Sequence, residues 1–543
     1  MNFLEKIILK INPERALKRE IFKRRFNRLQ NFNNKKITNQ RSFDVASSNR
    51  TKYDFLNPQE SPDSAIKDSA KTLRNHVRQL EHNTGFIAGP IKRIVNNVVG
   101  SGIRFQSRVK ADNNSYEFPK ITEEDAQKFN YLSEKYTRLW AKKYADVRLI
   151  QNFYEIQRTV CGSLLRDGEV LVIGRSSNKL NIRHISFCLQ IFEIDRLQTP
   201  YEMIQDPKVR NGIEYDEEGT PKTYYVLKEH PGESVVITGF KANDYEEIPA
   251  YNKNGTKKVF HLFDMVRPEQ SRGYTPFAAA LKSLLDMERY KEAEILAALE
   301  DACLTGFVKS PAAQSFQANY TEDNIENDDG DETSQRIHSF SPNKWYYLDP
   351  GNDVTIHSPK RPNDQFGVFI DQICREIANA IDIPPEVLTQ NWQGMNYSNA
   401  RTVLLQLYLA CRVMQAFIID HLCIPVYENV ISELVGFGKI WNPAFRDRKE
   451  DFMNSAWISP GWSWIDPVKE ANGKILEIDN NIDTMSNTLA SKGMDFEETI
   501  DLIAFEKKKI QEKEKKYGVK ITPVDKTNIT NNQEDKNNAN TSK

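Results

Sequence analysis

The sequence predicts an α+β fold. Three observations carry that expectation. Apolar residues fall at helical spacing through 65–168 and again through 275–424, a strand-rich stretch occupies 180–265 between them, and no internal repeat runs through the chain. At 543 residues the chain is long enough for more than one structural unit. Hydrophobic residues make up 39% and charged residues 27%, so the middle of the chain can bury a core.

Residues 1–50 carry thirteen Lys or Arg against four acids, and "ALKREIFKRRFNRLQNF" interleaves Phe and Leu with the charges. The plain reading is a solvated helix; the sharper one is a basic arm for DNA or an acidic partner. Next, Leu73, Val77 and Leu80 mark a helix, Gly85, Gly89 and Pro90 interrupt it, and Ile91, Ile94, Val95 and Val98 mark a second helix before a strand. "YLSEKYTRLWAKKYADVR" and "NFYEIQRTVCGSLLRDGEVLVIGR" give two more helices. The latter ends at Arg166-Asp167-Gly168 and leads into a strand at Val170–Ile173. Within 180–265, "NGIEYDEEGTPKTYYVLKEH" reads as strand, acidic turn and strand, and "KKVFHLFDMVRPEQSRG" as a strand that leaves at Pro268.

A long helix follows at 275–305, capped by Thr275, started on Pro276 and ended by Gly306. At 1.5 Å per residue it is roughly 45 Å long. "YTEDNIENDDGDET" holds seven acids and reads as an exposed loop. It lacks the later Glu that a calcium loop needs. "DQFGVFIDQICREIANAID" is amphipathic, with Phe366, Phe369, Ile370, Ile373 and Ile377 on one face. Pro384 and Pro385 stop that helix. The amide-rich "TQNWQGMNYSN" then leads to "SNARTVLLQLYLACRVMQAFIIDHLC", apolar nearly all round. This predicts a helix capped by Ser398, buried on most sides and kinked or stopped at Pro425. The tail "TNITNNQEDKNNANTSK" is polar and reads as disordered.

The chemistry is mostly negative. The net charge is −1, which argues against a protein whose main task is gripping nucleic acid. No G-x-x-x-x-G-K-[ST] loop, H-E-x-x-H or G-x-S-x-G occurs. "VVGSGIRF" lacks the third glycine and the following helix of a dinucleotide site. The six cysteines form no C-x-x-C pair and are expected as buried, reduced thiols. His184, His261 and His421 are expected as satisfied structural residues. No catalytic residues, cofactor or metal are expected, which tilts the reading away from an enzyme. No signal peptide is seen and no stretch approaches the ~20 apolar residues of a spanning helix, so a soluble, non-membrane protein is expected.

Several runs, taken in order, give a more specific reading. They include "RQLEHNTGFIAGPIKRIVNNVVGSGIRFQ", "FYEIQRTVCGSLLRDGEVLV", "VFHLFDMVRPEQSRGYTPFAAAL", "SPKRPNDQFGVFI", "IPPEVLTQNWQGMNYSNAR" and "WSWIDPVKEA". Across roughly 65–500 the chain resembles the lambda-family phage portal proteins, and is dissimilar across 1–60, 311–345 and beyond 505. The resemblance implies a portal-type fold with wing, helical stem, clip and crown, assembled as a homo-dodecameric ring at one capsid vertex in the virion after assembly in the host cytoplasm.

Composition sets off a basic N-terminal arm at 1–60, and the resemblance implies a wing at 61–274. A first stem helix at 275–305, a clip region at 306–360 and a return stem helix at 361–382 follow. A tunnel loop at 383–399 and wing and crown helices at 400–505 complete it, and composition marks 506–543 as a charged, disordered tail. Implied partners are the terminase large subunit, major capsid and scaffold proteins, head–tail connector proteins, and double-stranded DNA that passes without sequence readout. By the same resemblance, Gln390, Asn391, Trp392, Gln393 and Asn396 are the candidates to face the channel. Glu322, Asp323, Asp328 and Asp329 are candidates for a partner-facing clip. Two other readings stay open: a capsid or scaffold interaction protein without a DNA path, and a DNA-processing enzyme.

Overall fold

The computed structural model describes residues 61–67, 69–112, 119–177, 183–233, 240, 242–302, 306–309, 353–356, 366–462, 467–492, 494 and 496–519. The basic arm, the acidic segment with Glu322, Asp323, Asp328 and Asp329, Cys303 and the polar tail beyond 519 lie outside these residues.

Helices α1 (Pro62–Lys67), α2 (Ala70–Asn83) and α3 (Gly85–Val98) open the described chain. Thr84 separates the last two, its hydroxyl accepting from Phe86 N at 3.0 Å, so the predicted break is a helix cap. Val77, Leu80, Ile87, Ile91, Ile94 and Val98 are buried on the faces their spacing predicts. Strand β1 (Arg104–Ser107) pairs with a distant strand described below. Helix α4 (Glu123–Lys143) starts on Thr122, and α5 (Phe153–Asp167) starts on a reciprocal cap between Asn152 and Glu155.

Gly168 ends α5 at φ +82°, and a Cβ there would sit 1.9 Å from the Tyr274 carbonyl carbon. Only glycine lets these two backbones touch. That crossing feeds the strand β2 (Glu169–Ser176). β2 lies between β3 (Phe187–Phe192) and, later, β8 (Val259–Phe263), all antiparallel. The chain between them builds a second antiparallel sheet in sequence order: β4 (Val209–Arg210), β5 (Ile213–Tyr215), β6 (Pro221–Leu227) and β7 (Tyr245–Pro249). In the predicted acidic turn, Asp216 accepts from Glu218 N and Thr220 N at 3.0 and 2.7 Å.

Thr275 caps a 3-10 turn at Pro276–Ala279, and α6 (Leu281–Ala302) follows. Leu281, Leu284 and Met287 anchor its first half in the core, whereas Ile295, Leu296 and Leu299 lie exposed. β9 (Gly306–Lys309) and β10 (Asp353–Ile356) pair antiparallel, with Lys309 opposite Asp353. Helix α7 (Phe366–Ala380) returns against α6, with Tyr290 packed on Phe366 and Phe369.

The prolines start a short helix, α8 (Pro385–Thr389), so 383–399 is not all loop. Asn396, not Ser398, caps α9 (Tyr397–Ile418), its amide oxygen accepting from Asn399 N at 2.9 Å. Pro425 does not stop this helix. A π-helical turn at Ile419–Cys423 widens the backbone and absorbs the missing N–H, and α10 (Ile424–Gly436) continues. A short helix α11 (Lys449–Phe452) precedes β11 (Ser455–Ile458), which pairs with β1. Helices α12 (Pro467–Asp479), α13 (Met485–Ser491) and α14 (Phe496–Tyr517) close the described chain. Helix α14 therefore runs well past the expected tail boundary at 506. The result is a mixed fold in which the α2–α5 and α7–α10 helices share one core with the β2 sheet.

Candidate functional site

The five amide and aromatic residues of the loop between α8 and α9 are all exposed. The structure assigns local work to three of them. Gln390 adopts φ +58° just after α8, and its side-chain amide donates to Val387 O at 3.2 Å. Asn391 Oδ1 accepts from Gln393 N at 3.2 Å, and Asn396 caps α9. Trp392 is 38% exposed, which leaves it half outside rather than packing the connector shut. Trp392 and the Gln393 side chain form the outward tip, with Gly394 turning at φ +74°. The tip carries no charge, so it cannot hold a phosphate by an ion pair.

Helix α9 behind this loop does not fit the expectation of burial on most sides. Only Leu407, Cys411, Gln415 and Ile418 are buried. Leu405, Leu409 and Val413, spaced one turn apart, are 44%, 61% and 73% exposed. By length and composition the continuous helix Tyr397–Gly436 could cross a membrane, which corrects the expectation that no stretch could. Arg401, Arg412, Asp420, His421, Glu428 and Glu433 interrupt it, and Val426, Tyr427, Val430, Ile431 and Leu434 are buried in the protein core. Leu405, Leu409 and Val413 form an apolar stripe that the described residues leave uncovered.

Sequence reasoning missed the most strongly charged constellation. Glu169 is 1% exposed at the start of β2. It accepts from Arg272 Nε and Nη2 at 2.8 Å each, from Gly273 N and His261 Nε2 at 3.1 Å, and from Arg74 Nη1 at 3.2 Å. Burial alone would raise its pKa, but Arg272 and His261 outweigh that and hold the carboxyl well below its ordinary range. Arg78 pairs with Asp167 at 2.7 Å and Asp195 at 2.6 Å. The signal was present: a lone Glu stands between Gly168 and the apolar run "VLVIG".

Glu193, Asp195 and His230 place possible ligand atoms within 4.8 Å of one another. Arg78 lies 3.0 Å from Glu193 as well as beside Asp195, so the carboxylates already have cations. His261 is a satisfied structural histidine. His184 lies between the rings of Tyr136 and Tyr144, and His421 is exposed on the π turn. Five of the six cysteines are described; all are free and buried.

Comparison with known proteins agrees with the sequence reading. The profile "Phage portal protein, lambda family" matches residues 48–415. A probable portal protein of Halomonas phage phiHAP-1 is 28% identical over 453 residues, covering 81% of each chain. Portal protein B of Escherichia phage lambda is 20% identical over 464 residues, covering 81% of this chain and 84% of its own. Among solved structures, a chain from the virion of a native gene transfer agent particle aligns at TM-score 0.41 and 12% identity. It covers 78% of this chain and 93% of that one. On the profile match across residues 48–415, the chain belongs to the lambda family of phage portal proteins.

Proposed function

We propose that twelve copies of this portal protein form a ring at one vertex of the capsid, with a central channel for double-stranded DNA. Family membership over residues 48–415 carries this reading. Within it, α6 and α7 are the stem, the segment bracketed by β9 and β10 is the clip, and Trp392 and Gln393 face the channel. The stripe Leu405, Leu409 and Val413 packs on a neighbouring copy, because a ring needs a head-to-tail contact between different faces. A transmembrane role is the poorer account of α9, since the helix carries two arginines and its continuation α10 is part of the core.

A portal must let DNA slide. Neutralising many phosphates would give a tight, salt-sensitive grip, and a chain of net charge −1 with a neutral loop avoids it. The role is structural, with no catalytic step. The terminase large subunit docks at the clip, where Glu322, Asp323, Asp328 and Asp329 offer an acidic surface; capsid, scaffold and connector proteins take the remaining faces. Heads assembled with Trp392→Ala and Gln393→Ala test the loop. Retained DNA is expected to fall about fivefold, the factor that ~1 kcal/mol of lost contact supplies. Normal filling and retention would remove the loop from the DNA path. Divalent-metal-dependent DNA cleavage by the purified protein would favour a processing enzyme instead.

A further inference from the structure

We propose that Arg93 is the positioning residue that fixes the root of the 390–396 loop. This inference rests on that loop facing DNA. Arg93 lies on α3, and its Nη1 donates to Leu388 O at 3.1 Å, across 295 residues of chain. Leu388 is the fourth residue of the five-residue α8. A helix that short cannot sustain itself, and its last carbonyls have no helical N–H to accept from. Here Val387 O takes the Gln390 amide and Leu388 O takes the Arg93 guanidinium. A hydrogen bond from a charged donor is the stronger kind. Pro384 and Pro385 fix the entry to α8, and Val387 and Leu388 are each 4% exposed, so the turn is held at both ends and beneath. The chain reverses into the loop at the next residue but one, Gln390.

Gly89 explains how the guanidinium reaches this place. It sits one turn before Arg93 in the interior of α3, where glycine is less favourable than alanine. A Cβ on Gly89 would lie 3.2, 3.3 and 3.4 Å from Nη1, Nη2 and Cζ of Arg93. The bare backbone therefore makes room for the guanidinium. No carboxylate forms an ion pair with Arg93 among the described residues, and burial lowers its pKa. Its donors are directed to a carbonyl, not spent on an acid. The arrangement separates a fixed root, at Arg93 and Gln390, from an exposed tip, at Trp392–Gly394, which must yield to a passing duplex.

Amide hydrogen exchange on the full-length assembled chain tests this without DNA. Arg93→Met keeps the packed stem and removes the donors; Arg93→Lys keeps the charge and one donor group. In the Met variant, amides across 388–396 should exchange about tenfold faster with α3 and α9 unchanged, and the Lys variant should fall between it and wild type. Unchanged exchange in the Met variant, or an equal rise throughout α3 and α9, would overturn the assignment. DNA retention is measured separately on the same variants. A loosened root with normal retention would leave the positioning role standing and count against the loop as the DNA contact.

Discussion

Glu169 is a carboxylate with almost no solvent, set among Arg74, Arg272 and His261, and its removal leaves the buried Arg272 without its paired carboxylate. Breaking a buried pair from one side costs about 3 kcal/mol or more, so Glu169→Gln should lower stability by that order in a denaturant melt. A change within ~0.5 kcal/mol would show that the cluster is not coupled. The same residues set the acid response. The folded-state pKa values of Glu169 and His261 are both lowered, the first by its cations and the second by burial. Each therefore contributes stability that is present above its unfolded pKa and lost as pH falls: from about 6.5 downward for His261 and from about 4.3 downward for Glu169. Melting temperature followed from pH 7 to 3 should decline through both windows, and the Glu169→Gln variant should decline less below pH 4. His261 was legible as a structural residue, but its partner was not. Glu169 meets Arg74 and Arg272 across 95 and 103 positions of sequence, and no local pattern reports such a distance.

At the scale of elements, helices with one apolar face were legible because their periodicity and their burial coincide: Val77 and Leu80 in α2, or Ile373 and Ile377 in α7, face the core as spacing requires. Helix α9 broke that rule. Its composition reads as buried all round, yet the single chain covers one face only, and Leu405, Leu409 and Val413 stay exposed. Pro425 misled for another reason. A π turn lets a helix carry a proline, and that accommodation depends on the packing of Leu422 and Cys423, both fully buried. In the loop, exposure was legible from the amides, while their use as caps was not, since an Asn reads alike whether it caps a helix or faces solvent. Leu409→Glu with Val413→Glu should abolish assembly, as seen by light scattering. Denaturant stability of the isolated chain should shift by no more than ~0.5 kcal/mol, as for ordinary surface substitutions. Intact assembly of this variant would remove the α9 stripe from the subunit contact.

At the scale of the molecule, the α+β class and the order of helical and strand-rich regions were legible from periodicity, and the family from several sequence runs taken in order. The pairing of β1 with β11 was not, because it joins residues some 350 positions apart in the chain, Arg104 with Ile458. In the proposed role, copies of this portal protein close on themselves around a hole. Electron microscopy of the purified full-length protein measures this directly. A twelve-fold ring whose central channel admits a DNA duplex is expected, and monomers or closed shells without a channel would rule out the proposed role.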